Sequence, residues 1–288
     1  MWAVDLAPQH KLGLPLATRV ILAPGMSRLG WRHQIVCELD GVGAVVTGPW
    51  TWEPHWGRYP TLVSRPGGVV WTPERVGRPV AQLLAEVSTS WEALDIPVLA
   101  CIAPGEMGHV QQVARHLADV PTVAGVWLET REDEDVGHVL ARIDVARRAS
   151  ELPVLVALPL SCAGRWARPC VHAGADALVV GMPLEGELPH QGRWVRGRVY
   201  GPLMFPVMLA ALRAVAAQVE GRVPLIAHGG IHTPEDAVLC REVGADAVAL
   251  DAVVWVAPDM PRKVWQALQQ WELSQQEGAS HASGRTTG

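Results

Sequence analysis

Eight short apolar runs, each followed by a longer stretch patterned like a helix, constrain this chain more than any other feature. The candidate strands are Arg19–Ala23, Ala44–Gly48, Val98–Ile102, Val126–Glu129, Val154–Leu158, Ala177–Gly181, Leu225–His228 and Ala247–Asp251. They are rich in Val, Leu and Ala and nearly continuous, with little alternation of apolar and polar residues. Strands covered on both faces read this way, and parallel strands need crossover connections of about this length.

The punctuation is regular. Pro97, Pro153 and Pro224 open the third, fifth and seventh runs, where a missing N–H donor costs little. Gly43, Gly125, Gly174 and Gly244 precede the even runs, as expected where a helix ends and a short loop leads into a strand. The phrase Gly174-Ala175-Asp176-Ala177 recurs as Gly244-Ala245-Asp246-Ala247. Helical spacing covers Val80–Leu94 and Val136–Arg148. Thr233-Pro234-Glu235-Asp236 has the cap, proline and acids of a helix start. Eight serial strand–helix units favour an α/β fold, a closed parallel (β/α)8 TIM barrel. An open doubly wound sheet is the structural alternative.

Three segments fall outside the repeat. Residues 1–18 are expected to form an N-terminal hairpin closing the barrel's bottom. Residues 49–78 and 182–200 are long loops after the second and sixth strands, on the C-terminal face where barrel active sites lie. The expected organisation is one barrel domain, 1–275, and a disordered tail, 276–288, rich in Ser, Gly, His and Thr.

Hydrophobic residues make up 49% of the 288 and charged residues 18%, enough for a core and too little charge for disorder. The formal net charge of -5 offers no basic surface to nucleic acid or anionic lipid. No run reads as a membrane span or signal segment, so a cytoplasmic protein is expected. Five cysteines without C-x-x-C spacing argue against a disulfide framework or a metal site. Lysine occurs only as Lys11 and Lys263, and asparagine is absent. No mechanism here can use an asparagine amide.

Candidate chemistry gathers at the strands' carboxyl ends. Gly229-Gly230 follows the seventh strand beside the helix that starts at Thr233, a pairing that suits a phosphate as well as a plain tight turn. Asp251, at the end of the eighth strand, argues the other way. A carboxylate ~4 Å from a phosphate costs about 4 kcal/mol at surface-like dielectric. Asp251 therefore turns away, binds a cation, or excludes the phosphate. His55, His190, His228 and His232 lie at the rim, His228 nearest the mouth; hydrogen-bonded loop histidines are the plainer reading. Of the acidic run Glu129–Asp135, the residues Asp133, Glu134 and Asp135 read as the solvated first turn of a helix. Glu129 and Glu132 remain candidate bases. Trp50, Trp52, Trp56 and Trp71, in the long loop after the second strand, are expected to pack that loop rather than stack on a ligand.

Several phrases together resemble the dihydroorotate dehydrogenase family. Ile21-Leu22-Ala23-Pro24-Gly25-Met26 and Val42-Gly43-Ala44-Val45-Val46-Thr47 are similar to its first two strands. Thr51-Trp52-Glu53-Pro54, Gly57-Arg58-Tyr59-Pro60 and Pro66-Gly67-Gly68 look like its substrate-side loop. Gly197-Arg198-Val199-Tyr200-Gly201-Pro202 resembles the turn after its sixth strand. Ala227-His228-Gly229-Gly230-Ile231 with Pro234-Glu235-Asp236-Ala237 resembles its phosphate-proximal turn. No single phrase is specific; the collinear set, across roughly residues 5–265, is.

The resemblance implies an FMN barrel of pyrimidine biosynthesis that oxidises dihydroorotate, a side-chain base taking a proton as hydride passes to flavin. By position, Ala23, Gly25, Gly201, Gly229 and Gly230 match backbone contacts to the flavin, and Glu132 falls at the catalytic base. The departures are many. Gly48 and Ala157 stand where the family has lysines. Glu129 and Met182 stand at asparagines, and Trp71 falls near another. Asp251-Ala252 replaces a glycine-threonine pair that helps hold phosphate. Losing the lysines removes the cations that balance an anionic reduced flavin.

Three functions follow as expectations. The leading one is a divergent dihydroorotate dehydrogenase-like flavin oxidoreductase with a small-molecule ligand at the C-terminal barrel mouth. A second is a non-catalytic relative acting as a partner or binding subunit, with a homodimer also open. A third is a flavin-free barrel enzyme using Glu129, Glu132, His228 or Asp251.

Overall fold

A computed structural model describes the chain except residues 1–2, 27–36, 54–60, 73–79, 81–83, 85–89 and 284–288. β1 (Val4–Asp5) and β2 (Pro15–Leu16) pair antiparallel as the expected N-terminal hairpin. Its Leu6, Leu14 and Leu16 are fully buried in the main core, and Asp5 accepts the Leu14 N–H at 2.7 Å to hold the turn.

The barrel strands are β3 (Val20–Leu22), β4 (Ala44–Trp50), then, after two strands described below, β7 (Val98–Ile102), β8 (Val123–Glu129), β9 (Val154–Pro159) and β10 (Ala177–Met182). β13 (Leu225–His228) and β14 (Ala247–Leu250) complete it, and β14 pairs with β3 to close the ring. All eight pairings are parallel. The closed ring excludes the open sheet. β3, β7, β9, β10, β13 and β14 are buried at every residue, as their unbroken apolar runs require.

The described helices are α1 (Met107–Ala118), α2 (Val136–Ser150), α3 (Ala163–His172), α4 (Phe205–Val219), α5 (Pro234–Val243) and α6 (Met260–Ser283). α5 begins as its sequence suggests. The Thr233 side chain accepts the Asp236 N–H, and the Asp236 carboxylate accepts the Thr233 N–H, a reciprocal cap behind Pro234. The helix expected over 80–94 lies largely outside the described residues.

Three expectations are corrected. The stretches after the second and sixth barrel strands are not loops throughout. They supply β5 (Thr61–Arg65), β6 (Gly68–Thr72), β11 (Glu185–His190) and β12 (Arg193–Tyr200), an antiparallel sheet in the order β11-β12-β6-β5. The physical cause is turn chemistry. Pro66-Gly67 closes one hairpin with Gly67 at φ 90°, and Gln191-Gly192 closes the other with φ 49° and 74°. The tail expected to be disordered from 276 continues as helix α6 to Ser283, because Gln, Glu and Ala are good helix formers that extend the preceding turns. Pro202–Val219 is, contrary to expectation, long and apolar enough to cross a membrane, with a mean hydropathy of 1.6. It is the α4 region of the barrel, with Met208, Leu212, Val215 and Val219 buried against the core.

Candidate functional site at the barrel mouth

Each barrel strand delivers its last residues to one face. β3 leads into Ala23 and Gly25, β8 ends on Glu129, β10 on Gly181 and Met182, β13 on His228, and β14 runs into Asp251. The sheet formed by β5, β6, β11 and β12 meets the same face through Trp71 and Tyr200.

Glu129 is 1% exposed and forms a two-pronged ion pair with Arg198 of β12, at 2.9 and 2.5 Å. Two parallel N–H···O bonds make this the strong geometry for such a pair. Burial works against the Arg198 charge, but the neighbouring Glu129 more than offsets it, and the guanidinium pKa is raised. Arg142, buried in α2, donates to the Glu129 carbonyl at 3.1 Å and to the Glu134 carboxylate at 2.6 Å. Cys101 lies against Glu129, and burial followed by that carboxylate pushes its thiol well up. It is no thiolate nucleophile.

His228 is 2% exposed, and neither ring nitrogen has a hydrogen-bond partner. Its ring lies edge-on to Trp127, 5.8 Å between centroids. Burial first, then Arg198, pull its pKa down to about 3, so the imidazole is neutral. Asp251 is also 2% exposed. Burial pushes its pKa up to about 6, against the pull of the backbone N–H groups of Gly230, Ala252 and Val253. Its Oδ1 has no hydrogen-bond partner.

Aromatic rings close the top. The Trp71 ring sits 5.3 Å from Trp255 and 6.0 Å from Tyr200, centroid to centroid. A Cβ on Gly25 would meet the Trp71 ring at 2.8 Å, so the ring rests directly on that glycine. The cleft between Leu160, Gly181, Met204, Met208, His228 and Asp251 leaves no space for a water molecule. Small-molecule pockets are typically ~300–1,000 Å³.

The sequence-derived candidates therefore gather at one end but are already engaged. The Ala23 N–H donates to the Leu250 carbonyl at 2.9 Å. A Cβ on Gly201 would lie 2.2 Å from the Gly67 carbonyl oxygen, and one on Gly230 would lie 2.2 Å from the Phe205 nitrogen. Gly229 packs toward the Gly181 carbonyl. Glu132 is exposed on the rim and accepts a hydrogen bond from Ser161 at 2.8 Å. His190 ends β11, in the sheet beside the mouth, and burial pulls the pKa of His232 down. His55 and Trp56 lie outside the described residues. Arg198, Tyr200 and Trp255 are not among the sequence-derived candidates, although Arg198 and Tyr200 stand inside the Gly197–Pro202 phrase. Among the described residues no three His, Cys, Asp or Glu side chains gather closely enough to hold a metal ion.

A family profile for dihydroorotate dehydrogenase matches residues 182–271, which run from the end of β10 through the glycine turn and β14 into α6. The catalytic subunit of dihydroorotate dehydrogenase B (NAD(+)) from Geobacillus sp. (strain WCH70) is 26% identical over 85% of this chain and 84% of its own length. That from Desulforudis audaxviator is 27% identical over 94% of this chain and 96% of its own. These matches support a member of the dihydroorotate dehydrogenase family. At that level it is dihydroorotate dehydrogenase-like, in a family of oxidoreductases. The solved dihydroorotate dehydrogenase of Eimeria tenella, in complex with ferulenol, shares the fold, with a TM-score of 0.76 at 17% identity over 96% of this chain and 86% of that one.

The family normally holds FMN. The residues of this dihydroorotate dehydrogenase-like chain do not fit that group. Trp71 rests on Gly25, the cleft beside His228 admits no water, and the carboxylate of Asp251 is buried in the lining of that cleft, directly after β14.

Proposed function

We propose that this chain is a flavin-free, non-catalytic member of the dihydroorotate dehydrogenase family, kept as a partner or binding subunit. The observation that carries this reading is the Trp71 ring seated on Gly25, with Trp255 and Tyr200 beside it, in the space a planar cofactor would need. Supporting it, the Glu129–Arg198 pair replaces an open acceptor with a closed, charge-matched contact. The full-length chain, purified after expression with ample riboflavin, is expected to lack the visible absorption of bound flavin. It is also expected to show no dihydroorotate-dependent reduction of an added electron acceptor. A yellow preparation that turns over dihydroorotate contradicts the reading.

A second reading is supported by a different observation, the likeness to catalytic subunits along 84% and 96% of their lengths. In that reading the chain is a divergent dihydroorotate dehydrogenase of pyrimidine biosynthesis, with FMN held near Ala23, Gly25, Gly201, Gly229 and Gly230 and Glu132 as the base. Glu132→Gln would then abolish turnover and leave bound flavin in place.

A further inference from the structure

The repeated phrase Gly-Ala-Asp-Ala marks two corners at the bottom of the barrel, the end opposite the mouth. At one of them, Asp246 precedes β14 beside the start of β3. Arg19 donates there to the Glu272 carboxylate of α6, and Arg241 Nη2 lies 3.9 Å from the same carboxylate. Arg241 Nη1 also lies 3.9 Å from Asp246. Two mostly buried arginines thus share one carboxylate, with an aspartate beside them.

At the other corner Asp176 precedes β10, which pairs with β13. A cleft of about 370 Å³ opens there, and its lining includes Gln9, Arg147, Gly174, Asp176, Arg222 and Pro224. Small-molecule pockets typically have ~300–1,000 Å³. A Cβ on Gly174 would strike the Arg147 guanidinium, so the arginine lies across the glycine turn. Gln9 donates to the Arg222 carbonyl at 3.1 Å, which ties the N-terminal hairpin to the second arginine. No glutamate lines this cleft. The acids near Arg147 in sequence are taken, Asp144 by Arg148 and Glu151 by Lys11, and among the described residues no carboxylate pairs with Arg147. Glu220 comes no nearer to Arg222 than 3.9 Å, too far for a hydrogen bond, with both side chains at least half exposed. Asp176 is held by the Val154 N–H at 2.8 Å through Oδ2.

We infer that this cleft binds a small molecule through a carboxylate or phosphate group, held by Arg147 and Arg222 as Arg19 and Arg241 hold Glu272. The guanidinium fork matches the oxygens of either group. The aspartate in the lining does not bar an anion. Two cations outweigh it, and Asp246 stands in the same relation to Glu272 at the filled corner. The site lies at the opposite end of the barrel from His228 and Asp251, so it holds whether or not the mouth takes flavin.

Titration calorimetry of the full-length chain with inorganic phosphate and with malonate, at ionic strength fixed by sodium chloride, tests this. Wild type is expected to bind at least one of the two saturably at a single site, and the preference between them tells phosphate from carboxylate. Arg147→Gln and Arg222→Gln change exposed side chains and leave the core intact. Each is expected to weaken binding about tenfold or more, the loss of one charge-assisted contact. Arg148→Gln, whose side chain pairs with Asp144 outside the cleft, is expected to bind as wild type does. Wild type that takes up neither anion overturns the proposal. So does an unchanged affinity in either cleft variant, or an equal loss in Arg148→Gln, which would mark diffuse attraction to positive charge.

Discussion

His228 and Asp251 are buried within one cleft lining, and their protonation preferences oppose one another. Asp251 is held at about 6 against an ordinary 3.8, so the folded state binds its proton more tightly than the unfolded state does. Its contribution is fully present below pH 3.8 and is lost as pH rises through 6, about 3 kcal/mol in all. His228 is held at about 3 against 6.5, so its contribution is present above pH 6.5 and is lost as pH falls toward 3. Between pH 4 and 6 the two slopes have opposite sign and similar size. Wild type is therefore expected to show little net pH dependence from this pair. Asp251→Asn should lose about 1.4 kcal/mol per pH unit on acidification across that window, relative to wild type, and His228→Gln should gain about as much. Urea melts at pH 6, 5 and 4 read this directly, and variant profiles parallel to wild type would refute it. Part of this was legible in the sequence: Asp251 stood out because a carboxylate conflicts with a phosphate corner. Arg198 did not, because its partner Glu129 lies 69 residues away and nothing local announces a pairing across that distance.

At the scale of elements, the repeated phrase Gly-Ala-Asp-Ala has a mechanical meaning. Asp176 accepts the Val154 N–H at 2.8 Å and donates its own N–H to the Val154 carbonyl at 2.9 Å. Asp246 does the same with Leu225, at 2.9 and 2.7 Å. Each aspartate thus ties the start of one strand to the start of the strand before it, where a lone N–H would otherwise go unsatisfied. Asp176→Ala and Asp246→Ala are each expected to lower unfolding stability by about 1–3 kcal/mol, and roughly additively together. Chemical denaturation of the single and double variants checks this; losses within 0.5 kcal/mol of zero would contradict it. The repeat was visible in the sequence as a mark of serial units, but its hydrogen bonds needed the register. The sheet of β5, β6, β11 and β12 shows the opposite case. Pro66-Gly67 and Gln191-Gly192 are hairpin signals, but the strands they join lack the unbroken apolar runs of the barrel, so their pairing is faint in the sequence.

Across the whole molecule, the barrel was legible because eight buried parallel strands leave a pattern that turns, caps and crossovers all repeat. The state of its mouth was not. Whether Trp71 packs on a glycine or lines an open cleft depends on the path of the sheet that carries it, and residue types alone do not fix that path. The sequence reading expected the tryptophans of this loop to serve packing, and Trp50 and Trp71 do pack, Trp50 edge-on to Trp91 and Trp71 on Gly25. That seating is the centre of the account: the family's architecture is retained, while its mouth is filled from within. A crystal structure of the full-length chain grown in millimolar FMN tests this most directly. The account predicts the Trp71 ring on Gly25 and the Asp251 carboxylate buried at the end of β14, with no flavin density at the mouth; an isoalloxazine ring there with Trp71 swung aside would contradict it.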